Sequence, residues 1–449
     1  MNVLTYDRGT LILKTDFLIS DLLNIFRFDE RINAYRCYAY HYSRVLKIFE
    51  KIGLEIEDNV LDLVKCNWNI RKNISLRGYQ SEAIDAWFKN DCKGIIVLPT
   101  GTGKTRIALA ILSKLMEPTL IVVPTIELMK QWYNKIQAFF NVPIGFYGGG
   151  KKDIRCITIA TYDSAYINIE FLGNKFKLIV FDEVHHLPSP GYRQIAEMSA
   201  APYRLGLTAT PEREDNLHLD LNTLVGEIVY SRRVSEFPRK YLAEYRIETI
   251  RVKLSEEERK LYLENMEKYR RYLEKHNLRL RSIRDFEKII MKSGLDREAR
   301  EAILAWHNAR KIAFNAVAKI NILKEILSKH RGDRILIFTE NNEVVRKIST
   351  NLLIPEISYK TDDKEREKIL SGFKKGLINV IITSRVLEEG IDVPDANVAI
   401  ILSGTGSKRE FIQRLGRILR PKDGKQAVLY EIITSGTKEI RVSRRRRKI

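Results

Sequence analysis

Short runs of branched aliphatic residues, each about one strand long, recur along this chain between helix-length amphipathic stretches. From residue 93 they are KGIIVLPT, PTLIVVPT, CITIATY, FKLIVFDE and YRLGLTAT, and after a long interruption RILIFTE, INVIITS, ANVAIILS and AVLYEIIT. A strand that is apolar at nearly every position, rather than at every second one, must be covered on both faces. A parallel sheet with helices above and below meets that condition, so each set predicts one α/β lobe. The length agrees, because 449 residues exceed what one core of about 250 to 300 residues can hold.

Between the two sets, from about 250 to 313, the pattern changes. Ser255 with Glu258 three residues later makes a capping box, and Leu254 stands at the staple position. Tyr262, Met266, Tyr269 and Leu273 then repeat at helical spacing, which predicts a helical insertion. The first 75 residues are separate again. There LTYDRGTLILK reads as a hairpin turning at Asp7, Arg8 and Gly9, and the aromatic-rich AYRCYAYHY follows, whose rings read as core rather than as a stacking surface. The expected divisions are a small α+β module at 1–75, one lobe at 76–236, and a second lobe at 237–449 that contains the insertion.

The hydrophobic fraction of 44% is that of a globular protein, and no apolar run reaches the length that crosses a bilayer. The opening MNVLTYDRGTLILK lacks the apolar block of a secretory signal, so a cytoplasmic location is expected. Cys37, Cys66, Cys92 and Cys156 form no C-x-x-C pair, and the spacing suggests buried thiols rather than disulfides or a zinc site. A formal charge of +20 points to a polyanionic partner, because Lys and Arg release condensed counterions from phosphates. The tail RRRRK, 444–448, reads as a solvated end that either aids solubility or adds to that binding.

LPTGTGKT, 98–105, follows an apolar run and precedes the helical pattern RIALAILSKL. Strand, glycine-rich turn and helix start are what a phosphate cradle requires, with backbone N–H groups and the helix dipole aimed at the anion. Thr100, Gly101, Thr102 and Gly103 form the turn, Lys104 is placed for the β and γ phosphates of ATP, and Thr105 for Mg2+. Leu98 stands where the general pattern has its first glycine. The run VFDEVHH, 180–186, could by its letters be a metal site, an acid/base cluster or a hydrolysis motif. Its place at the end of FKLIVFDE puts Asp182 and Glu183 at the carboxyl edge of the sheet, where ligands of open α/β folds bind. Asp182 then suits the metal and Glu183 the attacking water, His185 links the site to its neighbours, and His186 reads as local packing or surface. A His-and-carboxylate zinc site is the competing reading, though the H-E-x-x-H spacing is absent.

The ordered set PTGTGKT, DEVH, LTAT (207–210), EEGIDVP (388–394) and QRLGRILR (413–420) resembles the superfamily-two helicases over residues 75–430. Within them, RLGLTATPERED and REFIQRLGRILRPK resemble the XPB-type DNA repair and transcription helicases, and the short chain resembles their archaeal branch. The resemblance implies two RecA-like lobes, a thumb-like role for the insertion and a damage-recognition role for the N-terminal module. It implies that Gln80 in LRGYQSEAI reads adenine with Arg77 beside it, where a solvent-facing helix start is the alternative. Thr208 and Thr210 would couple nucleotide state to lobe movement, and Glu389, Gly390 and Asp392 would face the first lobe. Gln413, Arg417 and Arg420 would complete the site, the arginines on the γ-phosphate. Such guanidinium groups can contribute on the order of 10³ to 10⁵ in rate. Arg213, Glu214 and Asp215 match a strand-separating motif, and are equally read as a local ion pair.

The implied activity is an ATP-dependent, DNA-stimulated 3′–5′ motor that opens duplex for repair or transcription. It would act on single-stranded, forked or bubble DNA, beside the nucleoid, with a nuclease or a repair or transcription protein as partner. A superfamily-two translocase that does not separate strands, and a nucleotide-gated clamp that does no chemistry, are the alternatives.

Overall fold

The computed structural model describes residues 2–16, 19–213, 215–233, 236, 244–278, 283–384, 396–403 and 426–447. They form two units that divide near residue 238.

In the first unit an eight-stranded sheet runs in the order Lys151–Lys152, Ile144–Gly148, Ile157–Thr161, Thr119–Val123, Leu178–Asp182, Tyr203–Thr208, Lys93–Val97, Ile228–Ser231. Every pairing is parallel except that of the first two. The strands Thr119–Val123, Ile157–Thr161 and Leu178–Asp182 are buried at every position, which is why their sequences do not alternate. Ile144–Gly148 and Ile228–Ser231 escape a reading by composition, since IGFYG carries two glycines and IVYS is short and half-exposed. Because the central strands are parallel, their carboxyl ends share one edge. Register makes this concrete: Asp182 pairs with Leu207, and Thr208 with Val97.

The N-terminal module belongs to the same unit. Its five-stranded sheet has the order Arg27–Asp29, Ala34–Tyr38, Thr10–Lys14, Val3–Asp7, Glu57–Asn59, and the helix Tyr42–Ile52 buries Tyr42, Val45 and Phe49. The expected hairpin is present, with Asp7 opposite Thr10 and positive φ at Arg8 (45°) and Gly9 (90°). The core reading of the aromatics holds for Tyr42 and for partly buried Tyr35, but Tyr38 is 53% exposed. The module is seated by Tyr6, whose hydroxyl lies 3.1 to 3.3 Å from the carbonyls of Ile169, Glu170 and Met198. The first two lie in the last turn of the helix Tyr162–Leu172, where the Ile169 carbonyl also accepts the Gly173 N–H at 2.8 Å, so the phenol adds a donor to the end of that helix.

One expectation is corrected here. Cys66 and Cys156 are joined in a disulfide across a sequence separation of 90, and only Cys37 and Cys92 are free thiols. Spacing did not show this because the proximity is tertiary: Cys66 lies on the linker that leaves the module, and Cys156 just precedes the strand Ile157–Thr161.

The second unit has a six-stranded parallel sheet in the order Glu244–Val252, Gln426–Thr434, Val398–Ile401, Ile335–Phe338, Val380–Thr383, Glu356–Ile357. Its insertion comprises Glu256–Lys275, Ile283–Lys292 and Arg297–Phe314, packed around Tyr262, Met266, Tyr269, Tyr272 and Ile303. Both halves of the capping box form, Ser255 accepting from the Glu258 amide at 3.2 Å and Glu258 from the Ser255 amide at 2.9 Å. The basic tail is not a loose end as far as it is described: Glu439–Arg447 is a helix. Its first residue forms a buried ion pair with Lys319, at 2.6 Å, and Lys319 also donates to the Leu402 carbonyl.

Candidate active site

The loop after Lys93–Val97 carries the anion cradle. Gly101 and Gly103 hold positive φ of 84° and 88°, and Gly103 ends the turn at the start of the helix Lys104–Leu115. A Cβ on Gly103 would meet the Gln80 amide nitrogen at 2.6 Å, so only glycine lets the chain pass there. Thr102 closes the turn by donating from Oγ1 to the Pro99 carbonyl at 2.7 Å. Lys104 Nζ reaches back to the Leu98 carbonyl at 3.0 Å, which places the ammonium across the mouth of the loop. Thr100 Oγ1 is buried with no hydrogen-bond partner among the described residues, a polar group suited to a phosphate oxygen.

Gln80 is only 2% exposed and both ends of its amide are engaged. Its oxygen accepts from the Arg77 backbone N–H at 2.9 Å, forming a capping box, and its nitrogen donates to the Thr102 carbonyl at 2.9 Å. Tyr79 adds a second donor to that carbonyl at 2.6 Å. The solvent-facing alternative for Gln80 is therefore wrong, and the side chain is wired to the cradle itself.

At the end of Leu178–Asp182 the Asp182 carboxylate is buried, with Oδ1 accepting from the Glu183 amide at 3.1 Å and Oδ2 from the Trp132 indole N–H at 2.8 Å. Glu183 sits at φ 50°, left-handed for a residue with a Cβ, which is backbone strain of the kind that clusters at functional sites. His185 is fully buried; its Nδ1 lies 3.1 Å from Thr208 Oγ1 and 3.5 Å from Glu183 Oε2. The Thr208 hydroxyl donates to the Thr210 carbonyl at 3.0 Å and accepts from the Thr210 amide. Thr208 Oγ1 therefore has His185 Nδ1 and both backbone polar groups of Thr210 within hydrogen-bond distance. The expected link from His185 to neighbouring segments thus runs to Thr208 and Thr210.

Arg213 donates to the His185 carbonyl at 2.7 Å and makes a two-pronged contact with Asp215 at 2.7 and 2.9 Å. That hydrogen bond pulls the Asp215 carboxyl down to about 2. The local ion pair expected as one alternative exists, and it is joined to the DEVH segment. Glu214, Glu389, Gly390, Asp392, Gln413, Arg417 and Arg420 lie outside the described residues.

The residues present fit a magnesium-bound nucleoside triphosphate: a glycine cradle with a lysine and the buried Thr100 hydroxyl, a Thr105 hydroxyl, and a buried carboxylate at the same sheet edge. No group of His, Cys, Asp and Glu able to hold a metal by itself is found among the described residues, so the zinc reading finds no support there. Sequence reasoning missed Trp132 and Lys135. Both lie on the helix Ile126–Phe139, which begins at that same edge, and Lys135 Nζ stands 3.4 Å from Thr105 Oγ1. The signal was its position after PTLIVVPT, since every segment leaving a parallel strand at its carboxyl end can reach the ligand crevice.

Three known families match the chain: a Xeroderma pigmentosum group B helicase damage recognition domain at 4–60, a Type III restriction enzyme res subunit at 73–213, and an ERCC3/RAD25/XPB C-terminal helicase at 296–449. The chain is 48% identical to a DNA 3′-5′ translocase XPB2 of Sulfurisphaera tokodaii, over 94% of this chain and 95% of that protein. It is 30% identical to a DNA 3′-5′ helicase XPB of Mycobacterium tuberculosis, over 87% of this chain and 67% of that one. A general transcription and DNA repair factor IIH helicase/translocase subunit XPB of Dictyostelium discoideum is 28% identical over 88% of this chain, which spans 48% of that longer protein. The helicase domain of Pyrococcus furiosus Hef superposes with a TM-score of 0.53 at 21% identity, covering 83% of this chain and 98% of that one. The fold is accordingly two RecA-like parallel-sheet lobes with a helical insertion and a small N-terminal α+β module, and the chain belongs to the XPB helicase family.

Proposed function

We propose that this chain is an ATP- and Mg2+-dependent 3′–5′ DNA helicase or translocase. The observation that carries the reading is one sheet edge on which the Lys104 cradle, the Asp182–Glu183 pair and the His185–Thr208 hydrogen bond meet. Thr105 and Asp182 would hold the metal, whose charge when bound offsets that of the phosphate oxygens. Lys104 binds the β and γ phosphates, and Glu183 orients and deprotonates the attacking water. His185 passes a change at Glu183 to the 208–210 segment. Gln413, Arg417 and Arg420 act on the γ-phosphate, and Glu389, Gly390 and Asp392 belong to the same nucleotide-dependent machinery. Gln80 reads adenine with Arg77 beside it, and its bond to the Thr102 carbonyl ties that contact to the cradle. Arg213, Glu214 and Asp215 act on the DNA fork. The basic charge supplies affinity for single-stranded, forked or bubble DNA.

The chain would work beside the nucleoid, with a nuclease or a repair or transcription protein as partner. Among the described residues no helix is long and apolar enough to cross a membrane.

Phosphate release measured with and without DNA tests the enzyme reading. Lys104→Ala and Glu183→Gln are expected to lower it by a hundredfold or more, roughly the contribution of a positioned acid–base group; unchanged turnover in both would remove the assignment. A second reading, translocation without strand separation, is favoured by the name translocase given to the relative that is 48% identical. Fuel-dependent opening of 3′-tailed, 5′-tailed and bubble duplexes, set beside displacement of a third strand from a triplex, separates the two.

A further inference from the structure

Asp182 and Trp132 are 50 residues apart in sequence and meet at 2.8 Å in the core of the first lobe. We propose that Trp132 is a positioning residue for the metal-binding carboxylate: its indole N–H holds Asp182 in the orientation that receives the cation. The inference deepens the ATP and Mg2+ reading above and rests on it.

A carboxylate turns freely about its last torsion unless something holds it. Asp182 is held twice, at Oδ1 by the Glu183 amide and at Oδ2 by Trp132. Each oxygen keeps a second lone pair, so both bonds persist when a hydrated metal is received. The amide alone cannot fix the carboxylate plane; a second donor from another element does. The indole is a stiff donor for the purpose, since the ring is 1% exposed and cannot rotate within its packing.

A tryptophan that merely fills a core also needs a partner for its N–H, and a backbone carbonyl suffices. Trp87 shows that solution in the same lobe: it is fully buried and donates to the Arg204 carbonyl at 3.0 Å. Trp132 instead uses its N–H on the carboxylate of the proposed metal site. Lys135, three residues on and hence on the same helix face, contacts Thr105, the other proposed metal ligand, at 3.4 Å. One helix therefore touches both ligands. Its start is fixed by Thr125, which accepts from the Leu128 amide at 3.3 Å, so the angle at which the indole enters is set by a cap and not by solvent.

The test uses the full chain with Mn2+ as the probe, titrated in the presence of ADP and read by paramagnetic resonance. Trp132→Phe keeps a buried ring and removes the donor. It is expected to raise the Mn2+ midpoint on the order of tenfold, the usual cost of losing a hydrogen bond behind a ligand, while binding of metal-free ADP stays as in the unaltered chain. In an Asp182→Asn background the same change is expected to add nothing, because the group it orients no longer ligates. An unchanged midpoint, or an equal rise in the Asp182→Asn background, overturns the proposal.

Should Trp132→Phe fail to fold, the unaltered chain decides. Labelled with 15N-tryptophan it gives four indole resonances. One of them is expected to shift on Asp182→Asn, and the same one on addition of Mg2+ with ADP; no response to Asp182→Asn overturns the proposal. A chain that shows this indole response yet binds no metal–nucleotide and releases no phosphate would instead defeat the functional reading, which keeps the two failures apart.

Discussion

His41 shows how one residue can make a junction sensitive to acid. It stands just before the helix Tyr42–Ile52 of the N-terminal module, its ring centroid lies 3.9 Å from that of Tyr40, and the short helical turn it ends packs on the lobe beside it. Burial, with the nearby charges of Arg44 and Arg204, pushes its imidazole down from 6.5 to about 4. The unfolded form therefore takes up the proton first. Between those two values stability falls as pH falls: the full value is present above about 6.5, and the loss is complete below about 4. Amide exchange in residues 2–60 is expected to accelerate between pH 7 and pH 5 relative to the lobe core, and His41→Phe to flatten that dependence. At this scale the sequence was readable where function is written in consecutive residues, as in GTGKT and DEVH. It was silent on Trp132 and on Tyr79, because a hydrogen bond that spans 50 or 23 residues leaves no local spacing to detect.

Among elements, the insertion was the most legible, since a capping box and a helical repeat are local facts that packing only completes. Ser255→Ala removes the acceptor for the Glu258 amide and is expected to cost about 1 kcal/mol, seen as faster amide exchange in the first turn of Glu256–Lys275 with the rest of the unit unchanged. The buried central strands were plain as well, because full burial demands aliphatic runs. Ile144–Gly148 and Glu244–Val252 were not, the first for its glycines and the second because EYRIETIRV alternates polar and apolar residues in an otherwise buried sheet. The helix Glu439–Arg447 was hidden for another reason: four successive arginines say nothing of a buried Lys319–Glu439 pair that anchors its first turn.

On the scale of the whole molecule the aliphatic pattern announces two lobes, while the covalent tie between Cys66 and Cys156 exists only through the tertiary fold. Closing a loop across a separation of 90 restricts the unfolded chain, and such a cross-link is typically worth about 2 to 5 kcal/mol. Reductant is expected to lower the melting temperature of the first unit, and Cys66→Ser to produce the same decrease and abolish the response to reductant. Calorimetry in the two conditions checks both. The tie also settles where load travels. If the first sixty residues were tugged by a bound strand or a neighbour, the contacts of Tyr6 and of residues 60–64 would take the first strain, and the covalent share would pass to Cys156, at the root of Ile157–Thr161, before reaching the linker toward residue 78. The small module is thus hitched to the chassis of the engine and not to its harness.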